Sequence, residues 1–346
     1  MNGIMAVASG AAAALICGTA IVPLKRLAVR WDLTDRPSAK KAHARPTPYV
    51  GGIGIMLGTF VPALALPELT DRRVIAILLG ATVVGLLGLI DDIRPLPPVT
   101  RLVVETVAAV EVVLSGVHVT LVGGWLDGVA TVVWLVVLAN SFNLLDNMDG
   151  VLGSVATVTA AFLAVSAFVS AQTSLALLMT VLTCATLGFL KHNWPRARVF
   201  MGDSGSLFIG FLLSCSAVLL MAGQGPPTLI AGLLLPTFVA TVDTGVVLVS
   251  RLRAGHSPLR GGTDHVSHRL RRLGLPTWAV AAGLGLIAAI LGGFLVAMAL
   301  RWTSPLITAM VTVGTAVVLI ILLQGVNAYP STDHAKSSSR IRERRR

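Results

Sequence analysis

The amino-acid sequence contains eleven long apolar segments, and this pattern limits the chain to one class of fold. A helix needs about 20 largely apolar residues to cross the hydrocarbon core of a bilayer. Hydrophobic residues occupy 55% of the 346 positions and charged residues only 12%, whereas a soluble domain carries about 25% charged residues. The segments are residues 4–24, 49–67, 73–90, 101–120, 129–145, 151–171, 174–190, 205–222, 227–249, 276–299 and 303–324. We therefore expect an all-α polytopic membrane protein with about eleven transmembrane helices.

The distribution of Lys and Arg predicts how this bundle is oriented. The loops after the odd-numbered segments, together with the C-terminal tail, hold 24 of the 27 basic residues. The other side holds Arg72, Arg73 and Arg301. Because cytoplasmic loops are rich in Lys and Arg, we expect the N-terminus outside and the C-terminus in the cytoplasm. The net charge of +11 would then face the cytoplasm, where it can attract anionic lipid or meet a phosphorylated substrate.

A change of composition divides the chain into two parts. Residues 1–330 are predicted to form a single multi-span domain. Residues 331–346 form a polar, basic tail, which we expect to be disordered because it offers almost no apolar surface to bury. Cys17, Cys184 and Cys215 each lie in an apolar segment, which predicts small buried side chains rather than disulfides or metal ligands.

Acidic residues gather where the predicted helices reach the cytoplasmic side. Placing an ionisable group at membrane depth costs free energy, and such groups are usually functional. Several helix ends that carry carboxylates on one side indicate that these ends converge on one site. A group of carboxylates that lies beside many cations indicates a site for a divalent metal and phosphate groups. Mg²⁺ prefers a few carboxylates together with phosphate oxygens as its ligands. The residues concerned are Asp91, Asp92, Asp146, Asp149, Asp203, Asp243 and Asp264.

Asp203 is the best-placed metal ligand in this set. Its neighbours Gly202 and Gly205 let a ligand approach the backbone, and the amides at a helix start favour anions. His265 and His268, in "DHVSHRL", add hydrogen-bonding or cationic groups near the same face. The sequence therefore predicts a site for a metal-bound phosphate.

An ordinary structural role is the alternative for each of these residues. Asp203 taken alone could be a helix cap, and the acids at 91–92 could be solvated loop charges. Asp243 could pair with Arg251 or Arg253. These alternatives weaken because the features fall on one side of the membrane together.

Five sequence motifs, spread from about residue 35 to residue 273, resemble one family of membrane enzymes. They are "DRPSAKKAHARPTPYVGGIGI", "GLIDDIRPLPPVTRL", "NSFNLLDNMDGVLGS", "FMGDSGSLFIGF" and "PTFVATVDTGVVLVSRLRAGHSPLRGGTDHVSHRL". Together they are similar to the motifs of the polyprenyl-phosphate N-acetylhexosamine-1-phosphate transferases, glycosyltransferase family 4. Eleven spans with an outside N-terminus is also the topology of that family.

The resemblance implies a reaction and its components. An N-acetylhexosamine-1-phosphate, GlcNAc-1-phosphate in the favoured branch, would pass from a UDP-sugar to a polyprenyl phosphate, and UMP would be released. This would be the first membrane step of cell-wall or surface-polysaccharide synthesis, at the cytoplasmic face of the bacterial inner membrane. Mg²⁺ would be the cofactor, with Mn²⁺ as an alternative. The expected partners are the two substrates, the lipid bilayer and a second copy of the chain, and no nucleic acid.

The resemblance also assigns roles to individual residues. Asp91 and Asp92 would position or deprotonate the lipid phosphate, and His265 and His268 would act at the diphosphate or the sugar. Asp203, with Asp92, would hold the metal. The residues expected at the nucleotide sugar are Asn143, Asp146, Asp149, Phe200, Gly202 and Arg253, and the further candidates for phosphate contact are Lys41 and His43. A scheme in which an aspartate attacks first, giving a covalent intermediate, stays open.

Three departures from the family pattern bear on the donor sugar. Arg94 and Arg101 are the cations after the aspartate pair, where the muramyl branch has a lysine. Ser267 stands where many members have His, and Asn147 stands where Gly is usual. The run His-Val-Ser-His favours the GlcNAc branch, and the phospho-MurNAc-pentapeptide transferase is the alternative.

Two readings from other classes are less favoured. The string Gly-Asp-Ser-Gly around Ser204 is also found at serine-protease nucleophiles, but that chemistry needs a base and an oxyanion hole in a soluble framework. A transporter or flippase would use intramembrane acids such as Asp243, yet transporters usually place their site near the bilayer midplane.

Overall fold

A computed structural model describes residues 3–35, 47–257 and 262–326. The expectations for Lys41 and His43, and for the tail at 331–346, lie outside the described residues. Twelve helices and one short two-stranded sheet form the described part of the chain, so the predicted all-α class is confirmed.

The helices follow the predicted segments closely. Each of the eleven predicted segments coincides with one helix, and the additional helix, α10, lies in the basic loop between α9 and α11. The helices are α1 (Gly3–Arg30), α2 (Gly51–Leu64), α3 (Arg72–Ile93), α4 (Pro98–Leu114), α5 (Trp125–Leu145), α6 (Val151–Val169), α7 (Thr173–Asn193), α8 (Gly202–Leu220), α9 (Pro226–Arg253), α10 (Val266–Arg272), α11 (Thr277–Ala299) and α12 (Pro305–Gln324). Strands β1 (Thr34–Asp35) and β2 (Thr47–Pro48) pair in antiparallel fashion.

Nine of the described helices are long and apolar enough to cross a membrane. The two remaining predicted segments form shorter helices, α2 with 14 residues and α4 with 17. At about 1.5 Å per residue α2 spans roughly 21 Å, less than the hydrocarbon core of about 30 Å. Helix α4 carries Arg101, Glu105 and Glu111. The chain is thus a multi-pass membrane protein, while the count of eleven spans and the orientation stay predictions.

Helix α8 is the centre of the bundle. It packs against α2, α3, α5, α6 and α9, and 17 of its 19 residues are buried, against three of 20 in α12 at the periphery. Its sequence interleaves glycine and serine with large apolar residues, and small residues let membrane helices approach closely. Because α8 begins at Gly202, its first turn lies among the ends of its neighbours.

Helix α3 approaches this first turn closely. A Cβ atom on Gly88 would lie 2.4 Å from the carbonyl oxygen of Asp203, so only glycine fits there. The end of α3, with Asp91 and Asp92, is thereby held beside the start of α8.

Candidate active site

Asp92 holds the start of α8. Its Oδ1 accepts a hydrogen bond from the backbone N–H of Asp203 at 2.9 Å, and its Oδ2 accepts one from Ser204 N–H at 3.1 Å. The first N–H groups of a helix have no partner within it, and a carboxylate there is also favoured by the helix dipole. Asp92 therefore caps α8 from the end of α3 and fixes the backbone of Asp203.

Gly202 makes this arrangement possible. Its φ of +74° lies in the left-handed region that glycine adopts without strain. A Cβ atom at this position would lie 2.6 Å from Asp92 Oδ2. Gly202 is thus required for the packing of the Asp92 carboxylate against α8, which is an observed role beside the predicted one at the nucleotide sugar.

Arg101, from α4, joins two of the carboxylates. Its Nη1 lies 2.7 Å from Asp91 Oδ2 and 3.1 Å from Asp203 Oδ2. Asp91 Oδ1 also accepts a hydrogen bond from Leu96 N–H at 2.6 Å. One guanidinium group therefore bridges the end of α3 and the start of α8, and it places a cation beside their carboxylates.

Glu105 is a buried acid that the sequence interpretation missed. It lies one turn after Arg101 on α4, is fully buried, and accepts a hydrogen bond from the Asn140 side chain of α5. Its Oε1 has no hydrogen-bond partner among the described residues. The sequence did contain one indication of this position. Glu105 lies four residues after Arg101, and positions i and i+4 share a helix face.

The end of α5 brings further polar groups to the same place. The Asn143 side chain lies within hydrogen-bonding reach of the Asp203 carboxylate. Asp146 follows the last residue of α5. Burial raises the pKa of Asp146 to about 8, and the carboxylates of Asp203 and Asp92 contribute to the rise. Like charges disfavour ionisation, so these carboxylates add to the larger effect of burial.

We call Asp91, Asp92, Asp146, Asp149 and Asp203 the aspartate cluster. Asp149 holds the loop that leads into α8, since its Oδ2 accepts a hydrogen bond from Ala197 N–H at 2.9 Å. Five of the seven acids predicted to converge therefore lie together, whereas Asp243 and Asp264 lie at the short helix that follows α9.

Phe200 lies in the same connection between α7 and α8. Its backbone carbonyl accepts a hydrogen bond from Gly51 N–H at 3.0 Å, and its N–H donates to the Pro48 carbonyl at 2.8 Å. These two bonds tie the segment before α8 to the start of α2.

The histidines stand on a separate short element. We call His265 and the helix α10 that it begins the histidine helix. Asp243 of α9 is fully buried; its Oδ2 lies 2.8 Å from His265 Nδ1, and its Oδ1 accepts from Val266 N–H at 2.7 Å. The structure thus pairs Asp243 with His265 instead of the arginines that the sequence offered, because the chain turns back towards α9 after the basic loop.

A buried ion pair holds the start of the histidine helix. Arg251 Nε lies 2.9 Å from Asp264 Oδ2, and the two side chains are 3% and 0% exposed. Arg269, which is 1% exposed, donates to the Asp264 carbonyl at 3.0 Å and also to the Leu323 carbonyl. These contacts anchor the helix to α9 and to the end of α12.

His268 faces His265, with ring centroids 6.1 Å apart. Burial lowers the pKa of His268, and the neighbouring His265 and Arg272 lower it further, while Asp243 and Asp264 act in the opposite direction. His268 is therefore neutral at pH 7 and suited to accept or donate a hydrogen bond.

The histidine helix also contacts the loop that bears Asp146 and Asp149. The Ser267 hydroxyl donates to Asn147 Oδ1. Arg253 is exposed at the end of α9, and no described contact joins it to the aspartate cluster. The hydroxyl of Ser204 is buried without a hydrogen-bond partner among the described residues.

The aspartate cluster suits a metal that binds together with its substrate. Within the described ranges no group of three or more His, Cys, Asp or Glu side chains could alone hold a metal ion. Mg²⁺ does not require such a group, since it usually binds one or two carboxylates, substrate phosphates and water. The Asp203 side chain is 32% exposed and Asp91 11%, so Asp203 is the more accessible carboxylate.

Together the bundle and its cluster define a class. The chain is a multi-pass helical membrane protein with carboxylates, an arginine and two histidines at the ends of its helices. The model of glycosyl transferase family 4 matches residues 74–221. With the similarity to the relatives below, this match shows that the chain belongs to glycosyl transferase family 4.

Several curated proteins are similar to most of the chain. A Streptomyces coelicolor protein, assigned as a glycosyltransferase without a stated substrate, is 39% identical over 81% of this chain and 69% of its own length. The decaprenyl-phosphate N-acetylglucosaminephosphotransferase of Mycolicibacterium smegmatis is 32% identical over 77% of this chain and 75% of its own. The undecaprenyl-phosphate alpha-N-acetylglucosaminyl 1-phosphate transferase of Thermotoga maritima is 30% identical, with coverage of 72% and 76%.

Proposed function

We propose that the protein transfers GlcNAc-1-phosphate from UDP-GlcNAc to a polyprenyl phosphate and releases UMP. Two curated relatives that cover most of the chain carry names that state this transfer. The observation that carries the proposal is the Arg101 bridge between Asp91 and Asp203, beside a start of α8 that Asp92 caps.

The proposed chemistry joins two anions. An oxygen of the lipid phosphate attacks the β-phosphorus of the UDP-sugar, a new P–O bond forms, and the bond to the oxygen that leaves with UMP breaks. Both phosphates are negative, so the site must neutralise charge and hold them in line. Arg101 is the cation already in place, and it can exchange a carboxylate partner for a phosphate oxygen as substrate enters.

The two aspartates of α3 support direct attack better than a covalent intermediate. Both oxygens of Asp92 accept backbone hydrogen bonds from α8, and those of Asp91 accept from Leu96 N–H and Arg101. A carboxylate oxygen held in this way is a poor nucleophile. We therefore propose that Asp92 positions Asp203 and that Asp91 positions Arg101 and the lipid phosphate.

Asp203 is the proposed Mg²⁺ ligand, and Asp92 supports it from behind. When bound, Mg²⁺ would neutralise charge on the donor diphosphate. Asn143 and Asp146 border the same carboxylate group and are proposed to contact the nucleotide sugar with Asp149 and Phe200. His265, oriented by Asp243, and neutral His268 are proposed to donate to the diphosphate or the sugar.

The remaining parts of the proposal concern location and assembly. Most basic residues lie in the loops predicted to share one side of the membrane, and this asymmetry supports a cytoplasmic site in a bacterial inner membrane. Lys41, His43 and Arg253 stay predictions as phosphate contacts, and so does a homodimer.

A donor panel tests the proposal. Purified protein, Mg²⁺ and a polyprenyl phosphate are incubated with UDP-GlcNAc, UDP-GalNAc or UDP-MurNAc-pentapeptide, and UMP release is measured. We expect release with UDP-GlcNAc to exceed the others at least about tenfold, as expected when a site is built for one donor's polar groups. Release with the pentapeptide alone would instead assign the muramyl reaction.

A further inference from the structure

One contact joins the aspartate-bearing loop to the histidine helix, and both of its members are neutral. The Ser267 hydroxyl donates to Asn147 Oδ1. Ser267 is fully buried and stands between His265 and His268 in the sequence, and Asn147 directly follows Asp146. We propose that Asn147 and Ser267 are a positioning pair that sets the histidine helix relative to the aspartate cluster.

The Asn147 amide has only one orientation that satisfies its surroundings. Its Nδ2 donates to the Leu144 carbonyl at 2.7 Å, one of the last carbonyls of α5, which lack a partner within the helix. A flipped amide would bring Oδ1 against that carbonyl, and two acceptors repel each other. The Oδ1 atom therefore faces Ser267, and a continuous chain of hydrogen bonds runs from the end of α5 to α10.

The other anchors of the histidine helix lead elsewhere. His265 is held by Asp243 of α9, and Arg269 donates to the Leu323 carbonyl in α12. These contacts fix the helix against α9 and α12, and α9 in turn packs against α5. The contact with Asn147 adds a direct tie between the histidine helix and the loop that bears Asp146 and Asp149, so its loss would loosen the position of one part of the site relative to the other while each stays folded.

A double-mutant cycle tests the pair. We expect Ser267→Ala and Asn147→Ala each to lower kcat/KM for the transfer about tenfold to hundredfold, the loss that a misplacement of about 1 Å can cause. The double variant should lose no more than the worse single variant, because residues in contact are not additive. Ser214→Ala, which removes a buried hydroxyl bonded only within α8, should stay within about twofold of wild type.

Separate measurements of stability and turnover distinguish a positioning role for the pair from a packing role. Assays run well below the unfolding temperature of every variant should show a fall in kcat for Ser267→Ala. Additive losses, or a lowered unfolding temperature with unchanged kcat/KM, would overturn the proposal.

The kinetic test rests on the proposed function. A second measurement does not depend on it. Hydrogen exchange measures the opening of local segments. In Ser267→Ala the amides at 146–150 and at 265–268 should both exchange faster by at least about threefold, and those of Ser214→Ala should match wild type. Faster exchange in α10 alone would overturn the pair even if the protein transferred no sugar phosphate.

Discussion

The aspartate cluster and the histidine helix are held in place by different kinds of contact. The cluster is held by main-chain amides, glycine contacts and one shared arginine. Asp92, for example, accepts hydrogen bonds from two backbone N–H groups of α8. Buried side-chain pairs hold the histidine helix, chiefly Arg251 with Asp264 and Asp243 with His265. Damage to the cluster should therefore appear in turnover, whereas damage around the histidine helix should appear first in stability.

The largest expected effect is on the cluster. Asp92→Asn places an amide N–H against one of the two backbone N–H groups that the carboxylate accepts, so the start of α8 shifts and Asp203 with it. We expect turnover to fall about a hundredfold or more, comparable to the loss of one preorganised electrostatic contact. UMP release at saturating donor measures it. A fall of less than tenfold would mean that the start of α8 and Asp203 keep their positions without the Asp92 carboxylate.

The second effect tests the other side of the comparison. Asp264→Ala leaves Arg251 buried without its carboxylate, and breaking such a pair costs about 3–5 kcal/mol. Thermal unfolding in detergent should show this loss. The control is Asp71→Ala, which removes a partly exposed pair with Arg73 and the cap of α3 and should cost about 1 kcal/mol. Equal losses in the two variants would remove the distinction between buried and exposed pairs.

A smaller effect concerns pH. Because the pKa of His268 is lowered in the fold, the folded state binds fewer protons than the unfolded state below the ordinary histidine pKa of about 6.5. Stability is therefore fully present above that pH and is lost as the pH falls through the lowered pKa. His268→Gln should lose less stability than wild type between pH 7 and pH 5. Identical unfolding curves for both proteins across this range would contradict the lowered pKa.

The smallest expected effect is at Ser204. Its hydroxyl is buried beside the Asp92 carboxylate, and its backbone N–H, which the substitution keeps, donates to Asp92. Ser204→Ala should keep UMP release within about threefold of wild type, because the substitution keeps the backbone hydrogen bond to Asp92 and changes only one small side chain. A loss of activity to background would revive the hydrolase interpretation.

The fold class and the convergence of acids could be predicted from the sequence, because apolar length and one-sided charge are local patterns. The role of Asp92 as a cap for α8 could not, since Asp92 and Asp203 are far apart in the chain and close packing of α3 on α8, at Gly88 and Gly202, brings them together. The partner of Asp243 was equally hidden. A seven-residue helix such as α10 is too short to be stable alone, so its position depends on tertiary contacts that no local pattern records.

Asn147 and Ser267 illustrate the same limit. Each was visible in the sequence as a departure from a motif, but neither motif indicates that the two side chains touch. Glu105 was visible one turn after Arg101, yet its burial against Asn140 follows from the packing of α4 on α5.

Mg²⁺-dependent UMP release by the Asp203→Asn variant tests the central claim most directly. The variant keeps the shape of the side chain and the backbone N–H that Asp92 accepts, and it removes the charge that a metal needs. Purified wild type, Asp203→Asn and Ser204→Ala are compared with UDP-GlcNAc, a polyprenyl phosphate and a Mg²⁺ titration. The account predicts that Asp203→Asn releases no UMP above background at any Mg²⁺ concentration while it unfolds at the same temperature as wild type. Near-normal turnover in this variant would contradict it.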